Sequence, residues 1–105
     1  MIQTSSKFSD VPALDEVVDD FVIPNGELWE IRKFQGSASY LDDTAVSLVW
    51  DPAGAAEILA CTHGDSSYNL GAQVTGDGTK VLRLVLSNDT NVARIMGGAW
   101  EARKL

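Results

Sequence analysis

Apolar and polar residues alternate with a period of two along much of the chain. Between Leu28 and Phe34, Trp29 and Ile31 share one face while Glu30 and Arg32 share the other, the spacing of a half-buried strand rather than of a helix. The alternation breaks at Lys33-Phe34, where a bulge would turn Phe34 back inward. Phe21, Val22 and Ile23 form a preceding strand that stops at Pro24, which has no N–H for a ladder. Asn25-Gly26 tolerate the positive φ of a reversal, so residues 20–34 predict an opening hairpin.

The same period returns downstream. Thr44–Trp50 sets Val46, Leu48 and Trp50 against Ala45, Ser47 and Val49, and Lys80–Leu86 sets Leu82, Leu84 and Leu86 against Val81, Arg83 and Val85. Glu57–His63 is another extended run, and Tyr68–Val74, interrupted by Gly71, reads as an edge strand. Val92–Met96 and Ala99–Leu105 read as two short strands reversing at Gly97-Gly98. Leu14–Val22 favours extended structure through its β-branched residues, with Asp15, Glu16, Asp19 and Asp20 as a solvated face.

Turn residues separate these runs. Tyr40-Leu41 leads into Asp42-Asp43, Asp51-Pro52-Ala53-Gly54 stops a strand, and Gly76-Asp77-Gly78 is the strongest hairpin turn. With further turns near 65 and 90 and almost no helical pattern, the chain predicts an all-β fold. The expected architecture is an antiparallel β-sandwich, jelly-roll-like, of about eight strands. Its core should hold Trp29, Ile31, Val46, Leu48, Trp50, Leu82, Leu84, Leu86 and Trp100.

At 105 residues there is room for one domain, placed at 13–105. Residues 1–12 are polar and end at Val11-Pro12, which predicts an extended N-terminal arm ordered against a neighbour. Interface positions are then Ile2, Phe8 and Val11 on the arm, and Arg83, which sits among valines on a sheet face.

Charge narrows the partners. Fifteen acidic against eight basic residues give a formal net charge of −7, which disfavours a nucleic-acid partner. Cys61 is the single cysteine, so no disulfide forms within the chain. Met1–Lys7 lacks the apolar run of a signal peptide, and no apolar stretch approaches the ~20 residues of a membrane helix. The expectation is a soluble protein made in the cytoplasm, without a membrane partner.

Candidate chemistry is sparse. Cys61, His63 and Asp65 are spaced two apart and could share a strand face, but with no second Cys or His they leave a zinc site incomplete. As base and nucleophile, Cys61 and His63 would stand about 6–7 Å apart on one strand, too far for a direct hydrogen bond. There is no Gly-x-Ser-x-Gly elbow and no Gly-rich phosphate loop. Asp42, Asp43, Asp65, Asp77 and Asp89 lie in loops without the spacing of a calcium loop, and turn formation accounts for them. Asn88-Asp89-Thr90 matches a glycosylation acceptor but reads as a turn. Trp29, Trp50 and Trp100 could line a sugar platform, although core packing is their commoner use. No catalytic residue, metal ligand or cofactor is assigned, and the chain is read as a non-enzyme.

In Phe21–Phe34, Val46-Ser-Leu-Val-Trp-Asp51 and the closing Gly97-Gly-Ala-Trp100, the chain resembles small β-sandwich accessory proteins of tailed bacteriophage virions. The resemblance spans the middle and end of the chain and is one of pattern. It implies a non-enzymatic structural virion protein, a capsid decoration or tail-associated subunit. Such a protein is made in the host cytoplasm, forms homo-oligomers and binds other virion proteins. It carries over no functional residue. The alternative is a carbohydrate- or ligand-binding β-sandwich module that uses the tryptophans and loop carboxylates.

Overall fold

Eight strands account for most of the chain in the computed structural model, which describes residues 1–40 and 42–105; Leu41, in the turn segment after Tyr40, lies outside the described residues. They are β1 (Ile2–Val11), β2 (Asp15–Val22), β3 (Leu28–Ala38), β4 (Thr44–Trp50), β5 (Glu57–Thr62), β6 (Ser66–Thr75), β7 (Val81–Asn88) and β8 (Arg94–Lys104). A first sheet has the order β1-β8-β3-β6 and a second the order β2-β7-β4-β5, with every pairing antiparallel. Each strand therefore pairs with its mirror image in chain order: β1 with β8, β2 with β7, β3 with β6, β4 with β5. This is one long hairpin rolled so that successive pairs fall in alternate sheets, the jelly roll.

Only β4 and β5 are consecutive strands that pair; the other connections pass from one sheet to the other. The Pro24-Asn25-Gly26 corner is one of these crossings, so the expected opening hairpin is instead a bridge between β2 and β3. Gly76-Asp77-Gly78 likewise links β6 to β7 across the sandwich. The two crossings brace each other: the Gly26 N–H donates to the Gly76 carbonyl, and the Gly76 N–H to that of Glu27. Gly26 and Gly78 both take positive φ there.

Between the sheets lie Trp29, Ile31, Phe34, Val46, Leu48, Leu82, Leu84, Leu86, Met96 and Trp100, all buried, with Trp50 half-buried at the edge of the layer. Phe34 points inward because the ladder shifts register between Ile31 and Lys33, one step before the expected bulge. Phe21 meets the edge of Trp29 at 5.8 Å between ring centroids and tilts against Trp100 at 5.5 Å.

Two further expectations are corrected. Residues 2–11 are not a free arm: they form β1, paired with β8 from Ile2↔Arg103 to Val11↔Arg94. Val11 is fully buried in the core rather than offered to a neighbour. Gly97-Gly98 is not a reversal but the middle of β8, because both faces of the strand need the missing side chain. Inward, a β-carbon on Gly98 would stand 2.9 Å from Leu84 Cδ1 and Val46 Cγ1, and Gly98 pairs with Gly36, itself pressed against Thr62 and Val46. Outward, the Phe8 ring covers Gly97 and would collide with a β-carbon there.

Two of the four edge strands, β1 and β2, carry their own protection. Lys7 on β1 and Asp19 on β2 pair with the inward positions Gly98 and Leu84, so each turns a charge toward the interior at an edge. The Ser5 hydroxyl donates to Asp19 Oδ2 at 2.8 Å and ties the two edges together.

Candidate functional site

The residues singled out for chemistry are held apart. Cys61 lies on the outer face of β5, exposed, with its Sγ 3.4 Å from the Ser47 hydroxyl and its backbone bonded to the Tyr68 hydroxyl. His63 Nδ1 sits 2.7 Å from the Thr44 carbonyl, and Asp65 Oδ1 accepts from the Ala38 N–H. Among the described residues no three His, Cys, Asp or Glu side chains gather as a metal site would require. Asp77 caps its own turn, accepting from the N–H groups of Lys80 and Thr79 and from the Thr79 hydroxyl. Those bonds, the Lys80 N–H foremost, hold its carboxyl at a pKa of about 2.

Asn88 is fully buried and acts as a clasp. Its Nδ2 donates to the carbonyls of Val11 and Val92, and its Oδ1 accepts from the N–H and hydroxyl of Thr90, so the glycosylation-like triplet is spent on structure. Trp29 and Trp100 are buried, which removes them as a sugar platform. Trp29 Nε1 donates to Glu27, and that bond, helped by Lys104, holds the Glu27 carboxyl below its usual range.

What remains for function is the pair of outer faces. The outward positions of the second sheet include Val18 and Val22 of β2, Val81 and Val85 of β7, Val49 of β4 and Ile58 of β5, with Glu16, Ser87, Ala45, Ser47 and Cys61 toward one end of the same face. Val18 is 41% exposed and Ile58 67%. One ion pair crosses this apolar field: Arg83 Nε and Nη2 donate to Asp20 Oδ1 and Oδ2 at 2.7 and 2.9 Å. The fork lowers the Asp20 pKa, chiefly through the hydrogen bond from Arg83, and raises that of Arg83 in return. Arg83, expected at an interface, thus lies in the middle of the apolar face with its charge already matched.

The first sheet is different. Its outward positions form polar rows across all four strands: Ser6, Ala99, Gln35 and Ser67 in one, Thr4, Glu101, Lys33 and Asn69 in the next. An open depression of about 590 Å³ follows these rows. Lys33 and Glu101 stand 4.0 Å apart on its floor. At one end Phe8, 72% exposed, lies over Gly97, while Ile2, opposite Arg103, is exposed at the other end of β1. Sequence reasoning flagged Phe8 but missed the depression. Its residues come from four distant segments, and only the strand register brings them together.

No protein-family model matches the chain, and no curated protein matches it. Its structure is similar to that of the Yersinia pseudotuberculosis-derived mitogen, with a TM-score of 0.63 at 10% identity over 95% of this chain and 86% of the other. A periplasmic inhibitor of g-type lysozyme from Aeromonas hydrophila aligns with a TM-score of 0.49 at 12% identity, covering 97% of this chain and 86% of that one. A carbohydrate-binding module solved with calcium and xylotriose aligns with a TM-score of 0.42 at 16% identity, over 95% and 78%. At 10% identity the likeness to the mitogen speaks to the fold alone, and the strand order of this chain defines its class, an eight-stranded antiparallel β-sandwich of jelly-roll order.

Proposed function

We propose that the protein is a non-enzymatic structural subunit of a tailed-phage virion, a capsid decoration or tail-associated accessory protein that docks on other virion subunits. The observation that carries this reading is the outer face of the second sheet. Val18, Val22, Val49, Val81, Val85 and Ile58 cluster around Arg83 and Asp20, which neutralise each other, with the polar Ser47, Ser87 and Glu16 at the margin of the cluster. A contiguous apolar surface of this kind costs solubility unless a partner covers it. The resemblance of Phe21–Phe34, Val46–Asp51 and Gly97–Trp100 to phage accessory proteins supports the same reading.

The test is direct. Mass spectrometry of purified virions should find the wild-type chain at a fixed copy number, whereas the double variant Val18→Lys, Ile58→Lys should fold and be missing from the particles. Absence of the wild-type chain from virions overturns the reading, and incorporation of the variant at the wild-type level moves the contact to another surface.

A further inference from the structure

We infer that the depression on the outer face of the first sheet is a binding site for a neutral oligosaccharide, with Phe8 as its stacking surface. This goes beyond the docking role, since it uses the opposite face of the sandwich.

Shape is the first support. The depression spans four strands, roughly 14 Å at a spacing near 4.8 Å, and holds about 590 Å³. Its central row, Ser6, Ala99, Gln35 and Ser67, is mostly small, which leaves room above the backbone for a flat, extended ligand.

Chemistry selects the class. The hydroxyls of Thr4, Ser6 and Ser67 and the amides of Gln35 and Asn69 can each donate and accept, as alternating sugar hydroxyls require. Among the described residues none of these side-chain groups is engaged in a hydrogen bond within the chain. Lys33 and Glu101, the charged residues on the floor, lie 4.0 Å apart and cancel. A polyanion finds no net positive charge here, and the chain's net charge of −7 opposes it further.

The aromatic completes the site. Phe8 sits one outward position from Ser6 on β1, about 7 Å along the strand. Gly97 beneath it lets the ring lie close to the sheet, so the exposed ring presents an apolar surface next to the polar depression, just outside its lining. A pyranose has the matching asymmetry: a C–H face for the ring and a rim of hydroxyls for Gln35, Ser6 and Ser67.

Titration of the full chain with maltotriose, cellotriose and tri-N-acetylchitotriose, followed by amide chemical shifts in nuclear magnetic resonance, tests the site. At least one should give saturable shifts centred on Ser6, Phe8, Gln35, Ser67 and Asn69. Phe8→Ala should weaken it roughly tenfold, and Gln35→Ala, an exposed position that leaves the fold alone, roughly three- to tenfold. Val18→Lys, Ile58→Lys should bind as wild type, which separates this site from the docking face. No saturable shift with any of the three, shifts confined to the second sheet, insensitivity to both substitutions, or tighter binding of a sulfated oligosaccharide would each overturn the proposal.

Discussion

The two sheets share one interior but end in opposite kinds of surface. Outward positions of the second sheet are rich in valine around a closed ion pair, with a few polar residues toward one end, whereas those of the first are hydroxyls, amides, paired charges and a glycine under an aromatic ring. The inward sets are alike: Val46, Leu48, Leu82, Leu84 and Leu86 on one side, Ile31, Phe34, Met96 and Trp100 on the other. Folding therefore asks the same of both sheets, and the contrast in their outer faces is one that the shared core does not require.

The largest effect should come from the layer both faces rest on. Leu84→Ala, at a fully buried position, should cost about 2–5 kcal/mol in denaturant unfolding and impair both surfaces together. Gly98→Ala should cost about 1–3 kcal/mol by pushing Leu84 and Val46 apart, while Gly71→Ala, with open space around it, should be neutral or better. If Gly98→Ala proves as harmless as Gly71→Ala, the two sheets are not in close contact at that point.

Smaller effects separate the faces. Asp20→Ala should cost about 0.2–1 kcal/mol, since a half-exposed pair contributes little to folding, yet it leaves Arg83 uncompensated in the valine field and should weaken assembly more than stability. Acid titration gives the finest distinction. The Asp77 carboxyl is lowered from 3.8 to about 2 in the folded chain, so its contribution is present above pH 4 and is lost as the pH falls through 2. Asp20 acts in the same direction. Thermal melts of Asp77→Ala should fall less steeply over pH 4 to 2 than those of wild type, with an identical slope counting against the turn's role.

Much of the second sheet was legible in the sequence because its strands have one apolar and one mixed face. Val46, Leu48, Leu82, Leu84 and Leu86 declare their period locally. Strand β1 hides because it is an edge: its inward residues are Gln3, Ser5, Lys7 and Ser9, and Val11 alone reaches the core. Gly97-Gly98 misled for a related reason. A glycine pair marks a turn when only neighbours in sequence count, but here it answers to Phe8 on one face and Leu84 on the other, and both are distant along the chain. The polar rows of the first sheet had no local signature, since a serine, a lysine and an asparagine on three different strands look like solvated surface until register aligns them.

Pairing each strand with its mirror image also sets the order in which the molecule can close. β4 and β5 meet across the short connection 51–56, but β1 reaches β8 only after the whole chain has been gathered. Closure entropy grows with loop length, so the roll should zip outward from its tip, with folding in the millisecond-to-second range of non-local β topologies. Pulsed hydrogen exchange should show amides of β4 and β5 protected before those of β1, and the reverse order would refute this sequence of events. In the interval β8 stands with an open edge and two bare glycines, a berth that the first strand of another copy can occupy as well as its own; strand exchange at β1 is thus the misassembly to which this topology is most exposed.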